Sequence, residues 1–287
     1  MFAKLSSELL TKLILTYVER GVLFNTVYYL SRKGKALAMD CAVIQDLLFG
    51  APEDRLSYDC QDWLEHFLRQ LTKKEELRKL DFHYFFRGEQ LERNVMVELK
   101  NFTHLQELRF GEHHFSNFNF FHWEKMSFPE VRHLTMPLFQ EPDRALRFLT
   151  LAPKIVPSLR SLTFEDTGYE KVSCTERCAP QIASLGIQHL RFMVHDFSDK
   201  ESIADLATHL YPQLESLYMR AVQPQLASHR DMLDSLLKVA NPNLRKLKLR
   251  CDGMIPASYA IKWPIYSLQH FYALRLTQVY DSLCSFL

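Results

Sequence analysis

One short segment recurs along most of this 287-residue chain. Each copy consists of an aliphatic residue, two mostly polar residues, a second aliphatic residue, a polar residue and an apolar residue. The clearest copy is LRKLKL at residues 244–249. The copies begin at Leu77, Leu105, Val131, Leu159, Ile187, Leu214, Leu244 and Leu268. Their spacing of 24 to 30 residues is too even for chance and indicates a structural repeat.

The pattern inside each copy predicts a β-strand, because the fourth and sixth side chains of an extended segment share one face. The third, fifth and seventh side chains then share the other face. Helical patterns lie between the copies, for example the capping pair Ser198 and Glu201 before an apolar stripe. Prolines 153, 157, 212 and 242 are expected between helices and strands. Each unit therefore reads as strand, loop, helix and loop, and must stack on its neighbours.

These features resemble the leucine-rich-repeat family in its longer, strand-plus-helix form, over residues 41–287. The resemblance implies an α/β solenoid of about eight repeats, with parallel strands on the concave face and helices on the convex face. One departure is clear, because the family usually has Asn or Cys five residues after the second leucine. The residues found there are Phe85, His113, Phe139, Thr167, His195, Val222 and Asp252. We therefore expect the turns after the strands to be satisfied irregularly.

Residues 1–40 contain no copy of the repeat and resemble a degenerate F-box. The opening reads Leu5-Ser6-Ser7-Glu8-Leu9-Leu10 and then Leu13-Ile14, and the close reads Leu30-Ser31-Arg32-Lys33-Gly34-Lys35-Ala36-Leu37-Ala38. Ser6 stands where the family commonly has Pro, and Gly34 where it commonly has Trp. The resemblance implies a small all-α domain that binds a Skp-family adaptor through Leu5, Leu9, Leu10, Leu13 and Ile14.

An F-box followed by leucine-rich repeats is a known family architecture. It implies a substrate-recognition subunit of an SCF-type cullin ubiquitin ligase, with the adaptor and the cullin scaffold as partners and no chemistry performed by the chain itself. An alternative stays open, in which the chain is a non-catalytic repeat scaffold or inhibitor whose first forty residues only cap the solenoid. A host-targeting effector that imitates such receptors is a third possibility.

The predicted concave strand positions differ in charge along the chain. The first four strands carry mixed charges, whereas the last four carry cations and no Asp or Glu at these positions. The predicted substrate-binding residues are Arg191, Tyr218, Arg220, Lys246, Lys248 and Arg250. Such a face suits an acidic or phosphorylated segment of a protein substrate, with Tyr218 and Tyr272 as anchoring contacts. The alternative is a solvated strand face neutralised by flanking loops.

The composition narrows the remaining function classes. A net charge of +1 does not give the excess of basic residues that binding to nucleic acid or to an anionic membrane needs. No apolar stretch is long enough to span a bilayer. The apolar run near residue 9 is too interrupted for a signal peptide, so six scattered cysteines predict reduced thiols in the cytoplasm or nucleus. Neither the histidines at 113, 114 and 122 nor Cys174 with Cys178 supply a metal-ligand spacing. We expect no metal, cofactor or enzymatic activity.

Overall fold

The computed structural model describes ten stretches of the chain. They are residues 39–41, 46–48, 68–82, 97–110, 123–137, 142–165, 178–194, 206–221, 241–251 and 270–274. The described residues fall into two compact units. The first extends to Leu134 and includes Lys154–Ser158, and the second comprises Thr135–Pro153 and the residues from Leu159 onward.

The first unit is built on parallel strands that follow one another in chain order. β1 (Asp46–Leu48), β2 (Lys79–Asp81) and β3 (Glu107–Arg109) pair so that Asp46, Lys79 and Glu107 are in register. β4 (His133–Pro137) begins beside β3, because the N–H groups of Arg132 and His133 both donate to the Gln106 carbonyl.

The second unit contains five parallel strands that also pair in chain order. They are β5 (Ser161–Glu165), β6 (His189–Val194), β7 (Ser216–Ala221), β8 (Lys246–Cys251) and β9 (His270–Leu274). The chain is thus an α/β protein with parallel strands. The eight strands from β2 onward all begin at the third residue of a repeated segment, which confirms the strand prediction.

One hydrogen-bond arrangement recurs where a strand begins. The carbonyl of the second residue in one repeat accepts two N–H groups from the second and third residues of the next. The Glu215 carbonyl, for example, accepts the N–H groups of Arg245 at 2.8 Å and Lys246 at 3.1 Å. The carbonyls of Arg78, Gln106, Arg160 and Gln188 do the same. Because these pairs of hydrogen bonds involve equivalent residues, neighbouring repeats have the same local register.

The apolar positions of the repeated segment form the core of each unit. In the first unit the buried residues are Leu77, Leu80, Phe82, Leu105, Leu108, Phe110, Val131 and Leu134. In the second they are Met136, Leu159, Leu162, Phe164, Ile187, Leu190, Phe192, Leu214, Leu217, Met219, Leu244 and Leu247. Phe82 and Phe110, 28 residues apart, lie with their ring centroids 6.1 Å from each other. Burial of this periodic set holds successive strands together.

The helices between the strands are irregular in length and type. α1 spans Pro142–Ile155 and α2 spans Ala179–Ser184, while residues 68–70 and 97–99 are also helical. Leu206–Leu210 is a π-helix and is followed by a 3₁₀ turn at Tyr211–Gln213. The last residues of the apolar helical stripe that was predicted after Ser198 and Glu201 therefore form a π-helix, which is wider than an α-helix. The prediction that Pro153 lies outside a helix is wrong, since α1 continues through it to Ile155.

Polar side chains and one glycine satisfy several turns before the strands. The side-chain amide of Asn241 donates to the carbonyls of Tyr211 and Leu214, one repeat earlier, and that of Gln213 donates to the Ala183 carbonyl at 3.0 Å. Gly186 ends α2 with a φ of 65°, in the left-handed region that glycine adopts at low cost. These contacts satisfy backbone groups on the side of the repeat that precedes the strands.

Candidate functional site

The candidate site is a row of three side chains on adjacent strands of the second unit. Arg191 on β6, Tyr218 on β7 and Lys248 on β8 are register partners. The Arg191 Cζ lies 4.7 Å from the centroid of the Tyr218 ring, and the Lys248 Nζ lies 5.0 Å from it. Because β6 and β8 flank β7, the two cations reach the ring from the neighbouring strands on either side. We call these three residues the cationic row.

The cationic row is accessible and has no ion-pair partner in the described residues. Arg191 is exposed, and Tyr218 and Lys248 are half-buried. Lys246, two residues before Lys248 on β8, is also exposed. None of the residues described by the structure forms an ion pair with Arg191, Lys246 or Lys248. Cation–π contacts of this kind attract by roughly 0.5–1 kcal/mol at exposed sites, so they orient the cations without neutralising them.

The equivalent strand positions of the first unit behave differently, because their charges are paired between strands. Lys79 and Glu107 are register partners, and the Lys79 ammonium donates to the Glu107 carboxylate. Arg109 and Asp81 are also register partners, with Arg109 Nη1 3.3 Å from Asp81 Oδ2. The mixed charges expected in this part of the chain thus neutralise one another. The two units therefore offer ligands different strand faces.

Asp81 corrects one sequence expectation. The alternation predicts that its side chain lies on the open strand face, but the residue is only 1% exposed. A buried carboxylate needs compensation, which the Arg109 guanidinium provides. Asp81 is therefore part of the structural charge pairing and not a ligand-binding group.

The predicted substrate-binding residues lie on adjacent strands. The structure describes the side chains of some of them and only the backbone of others. Arg220 and Arg250 are register partners on β7 and β8, and Tyr272 on β9 is the register partner of Lys248. For these three, the structure describes the backbone only. The predicted adaptor-binding residues Leu5, Leu9, Leu10, Leu13 and Ile14 lie outside the described residues, as do the residues found where the family has its Asn or Cys after each strand.

The arrangement of Tyr218 between two cations is a feature that sequence analysis missed. Tyr218 was expected to provide an anchoring contact for the substrate, yet its ring already contacts both Arg191 and Lys248. The three residues are separated by 27 and 30 positions in the chain. The repeat alignment places all three at the fifth position and so predicts the row itself, but it does not predict the contacts of the two cations with the ring, which depend on side-chain conformation.

The described residues contain little that suggests chemistry beyond charge recognition. They include no group of three or more His, Cys, Asp or Glu side chains that could hold a metal ion. Cys41 and Cys178 are buried, and burial, with a smaller contribution from Asp40, raises the pKa of the Cys41 thiol to about 12. A thiol with so high a pKa is a poor nucleophile at neutral pH. No helix in the described stretches is long and apolar enough to cross a membrane.

Comparison with known proteins gives no assignment for the chain: neither the protein-family models nor the curated proteins include a match to it.

Proposed function

We propose that this chain is a non-catalytic receptor that binds a protein substrate through its second unit and delivers it to an SCF-type cullin ubiquitin ligase. The observation that carries the binding part is the contrast between the two strand faces. The first unit pairs Lys79 with Glu107 and Arg109 with Asp81, whereas Arg191, Lys246 and Lys248 form no ion pair with the described residues. Cations on a strand face that form no ion pair within the described part of the chain suit an acidic or phosphorylated segment.

The fold that accompanies this function is a leucine-rich-repeat solenoid, with strands on the concave face and helices on the convex face. Three observations support it. The strands follow chain order, they start at equivalent repeat positions, and the paired N–H groups recur at the start of the strands. Repeats of this kind bury their apolar faces against each other, and the strand positions that remain exposed form a binding surface.

The link to a ligase rests on the resemblance of residues 1–40 to an F-box. In this proposal Leu5, Leu9, Leu10, Leu13 and Ile14 contact a Skp-family adaptor, which connects the chain to the cullin scaffold in the cytoplasm or nucleus. The receptor then acts by proximity, since a tethered substrate has a high effective concentration near the ubiquitin-transfer site. No cofactor or metal is required of the chain.

The test is co-elution of the purified chain with a Skp-family adaptor on size-exclusion chromatography. The wild type is compared with Leu9→Asp/Ile14→Asp, and circular dichroism checks that both are folded. We expect a stable complex for the wild type at micromolar concentration and none for the double variant. A folded wild-type chain that forms no complex would overturn the ligase link and leave the repeat scaffold, with residues 1–40 acting as a cap.

A further inference from the structure

The separation of the two cations in the cationic row restricts the anions that they can bind together. Arg191 and Lys248 stand on β6 and β8, which are two strand spacings apart, or roughly 9.6 Å. The Tyr218 ring lies between them, with contacts of 4.7 Å and 5.0 Å to the two cationic groups. With the ring between them acting as a spacer, the two cations stand about two strand spacings apart.

A single phosphate group does not match this separation. Charge-assisted hydrogen bonds are about 2.8 Å long, so two cations that share one phosphate stand closer together than two strand spacings. Two separate monoanions, one for each cation, match it better. The cationic row thus favours a pair of carboxylates over one phosphorylated residue.

The separation also selects the backbone conformation of the ligand. In a polyproline II segment, residues three apart lie on the same side and are about 9.3 Å apart. In a β-strand, residues on the same side are two or four apart, which gives roughly 6.8 Å or 13.6 Å. An α-helix reaches a similar distance, about 10.5 Å, only between residues seven apart.

Resting on the proposed function, we propose that the cationic row binds an acidic polyproline II segment whose two carboxylate side chains are three residues apart. The segment crosses β6, β7 and β8, with one carboxylate at Arg191 and the other at Lys248. Tyr218 is a positioning residue that keeps the two cations apart. The exposed Lys246 adds attraction that does not depend on the spacing.

The test uses fluorescein-labelled peptides and the full chain, with fluorescence polarisation as the readout. Four proline-rich peptides of identical composition carry two glutamates spaced two, three, four or seven residues apart, and a fifth carries one phosphoserine. We expect the peptide with spacing three to bind at least about fivefold more tightly than the others. Equal affinities, tighter binding of the phosphoserine or spacing-seven peptide, or no binding at millimolar concentration would each overturn the proposal.

Matched variants test the role of each side chain. Lys248→Gln should weaken binding of the spacing-three peptide about tenfold, whereas Lys154→Gln, which removes the same charge from an exposed position of α1, should change it less than about twofold. Tyr218→Phe should keep the spacing preference, and Tyr218→Leu, which keeps the net charge, should abolish it. A Tyr218→Leu variant that retains the preference would contradict the spacer role.

Failure of this inference is distinguishable from failure of the proposed function. Adaptor co-elution depends on Leu9 and Ile14, which the peptide experiment does not involve. A chain that binds the adaptor but shows no spacing preference would overturn the inference alone.

Discussion

At the scale of single residues, Asn241 illustrates how one side chain connects neighbouring repeats. Its Nδ2 donates to the carbonyls of Tyr211 and Leu214, and its Oδ1 accepts the N–H groups of Asn243 and Leu244 at 2.9 Å and 3.0 Å. The amide thus supports the turn before β8 and also the preceding repeat. Polar backbone groups near a core need such partners, because leaving one unsatisfied costs about 1–3 kcal/mol.

Substitution of Asn241 by Ala should therefore lower the free energy of unfolding by about 2 kcal/mol, since four hydrogen bonds are lost at once. Chemical denaturation followed by circular dichroism measures the change. Asn243→Ala is the control, because the Asn243 side chain is exposed and makes one long contact of 3.4 Å to the Pro212 carbonyl. A loss equal to that of the control would show that the Asn241 amide is not a structural link.

At the scale of elements, the sequence predicts strands better than helices, because strand patterns lie in neighbouring residues whereas helix ends depend on packing. The strands were predictable, because alternating side chains share a face, so consecutive residues show which positions are buried. β1 is the least marked strand in the sequence. Residues 44–49 follow the same pattern, but they precede the next copy by 33 residues and have Leu48 at a normally polar position. The helices were less predictable, since packing carries α1 through Pro153. The cation–π contacts of the cationic row depend on side-chain positions, which no sequence pattern contains.

Glu98 connects two helical segments of the first unit and should make its stability depend on pH. Burial alone would raise the pKa of Glu98, but hydrogen bonds and charge from Lys74, with hydrogen bonds from Arg69 and Asn101, outweigh it and hold the pKa below its ordinary value of 4.5. A carboxylate with a lowered pKa in the folded state stabilises the fold above its unfolded-state pKa. This contribution is lost as the pH falls through the lowered value.

Glu98→Gln should accordingly be less stable than the wild type at pH 7, and the difference should shrink progressively below about pH 4.5. Urea denaturation at a series of pH values measures it. Glu75→Gln, which removes a charge from an exposed neighbour of Lys74, provides the comparison. A difference between Glu98→Gln and wild type that stays constant from pH 7 to pH 3 would contradict this assignment.

At the scale of the whole molecule, a net charge of +1 conceals an uneven distribution. The first unit pairs its strand charges internally, while the second presents Arg191, Lys246 and Lys248 without ion pairs to described residues. In our account this division separates two tasks. The N-terminal residues bind the ligase adaptor, and the basic strand positions hold the substrate.

The most direct test of this account measures both binding activities on the same three proteins. The wild type, Leu9→Asp/Ile14→Asp and Lys248→Gln are each assayed for adaptor co-elution and for binding of the peptide with glutamates three residues apart. We predict that the first variant loses only the adaptor and that the second is impaired only in peptide binding. Two results would contradict a receptor with two independent binding sites. One is that a folded variant loses both activities, and the other is that both variants keep both activities.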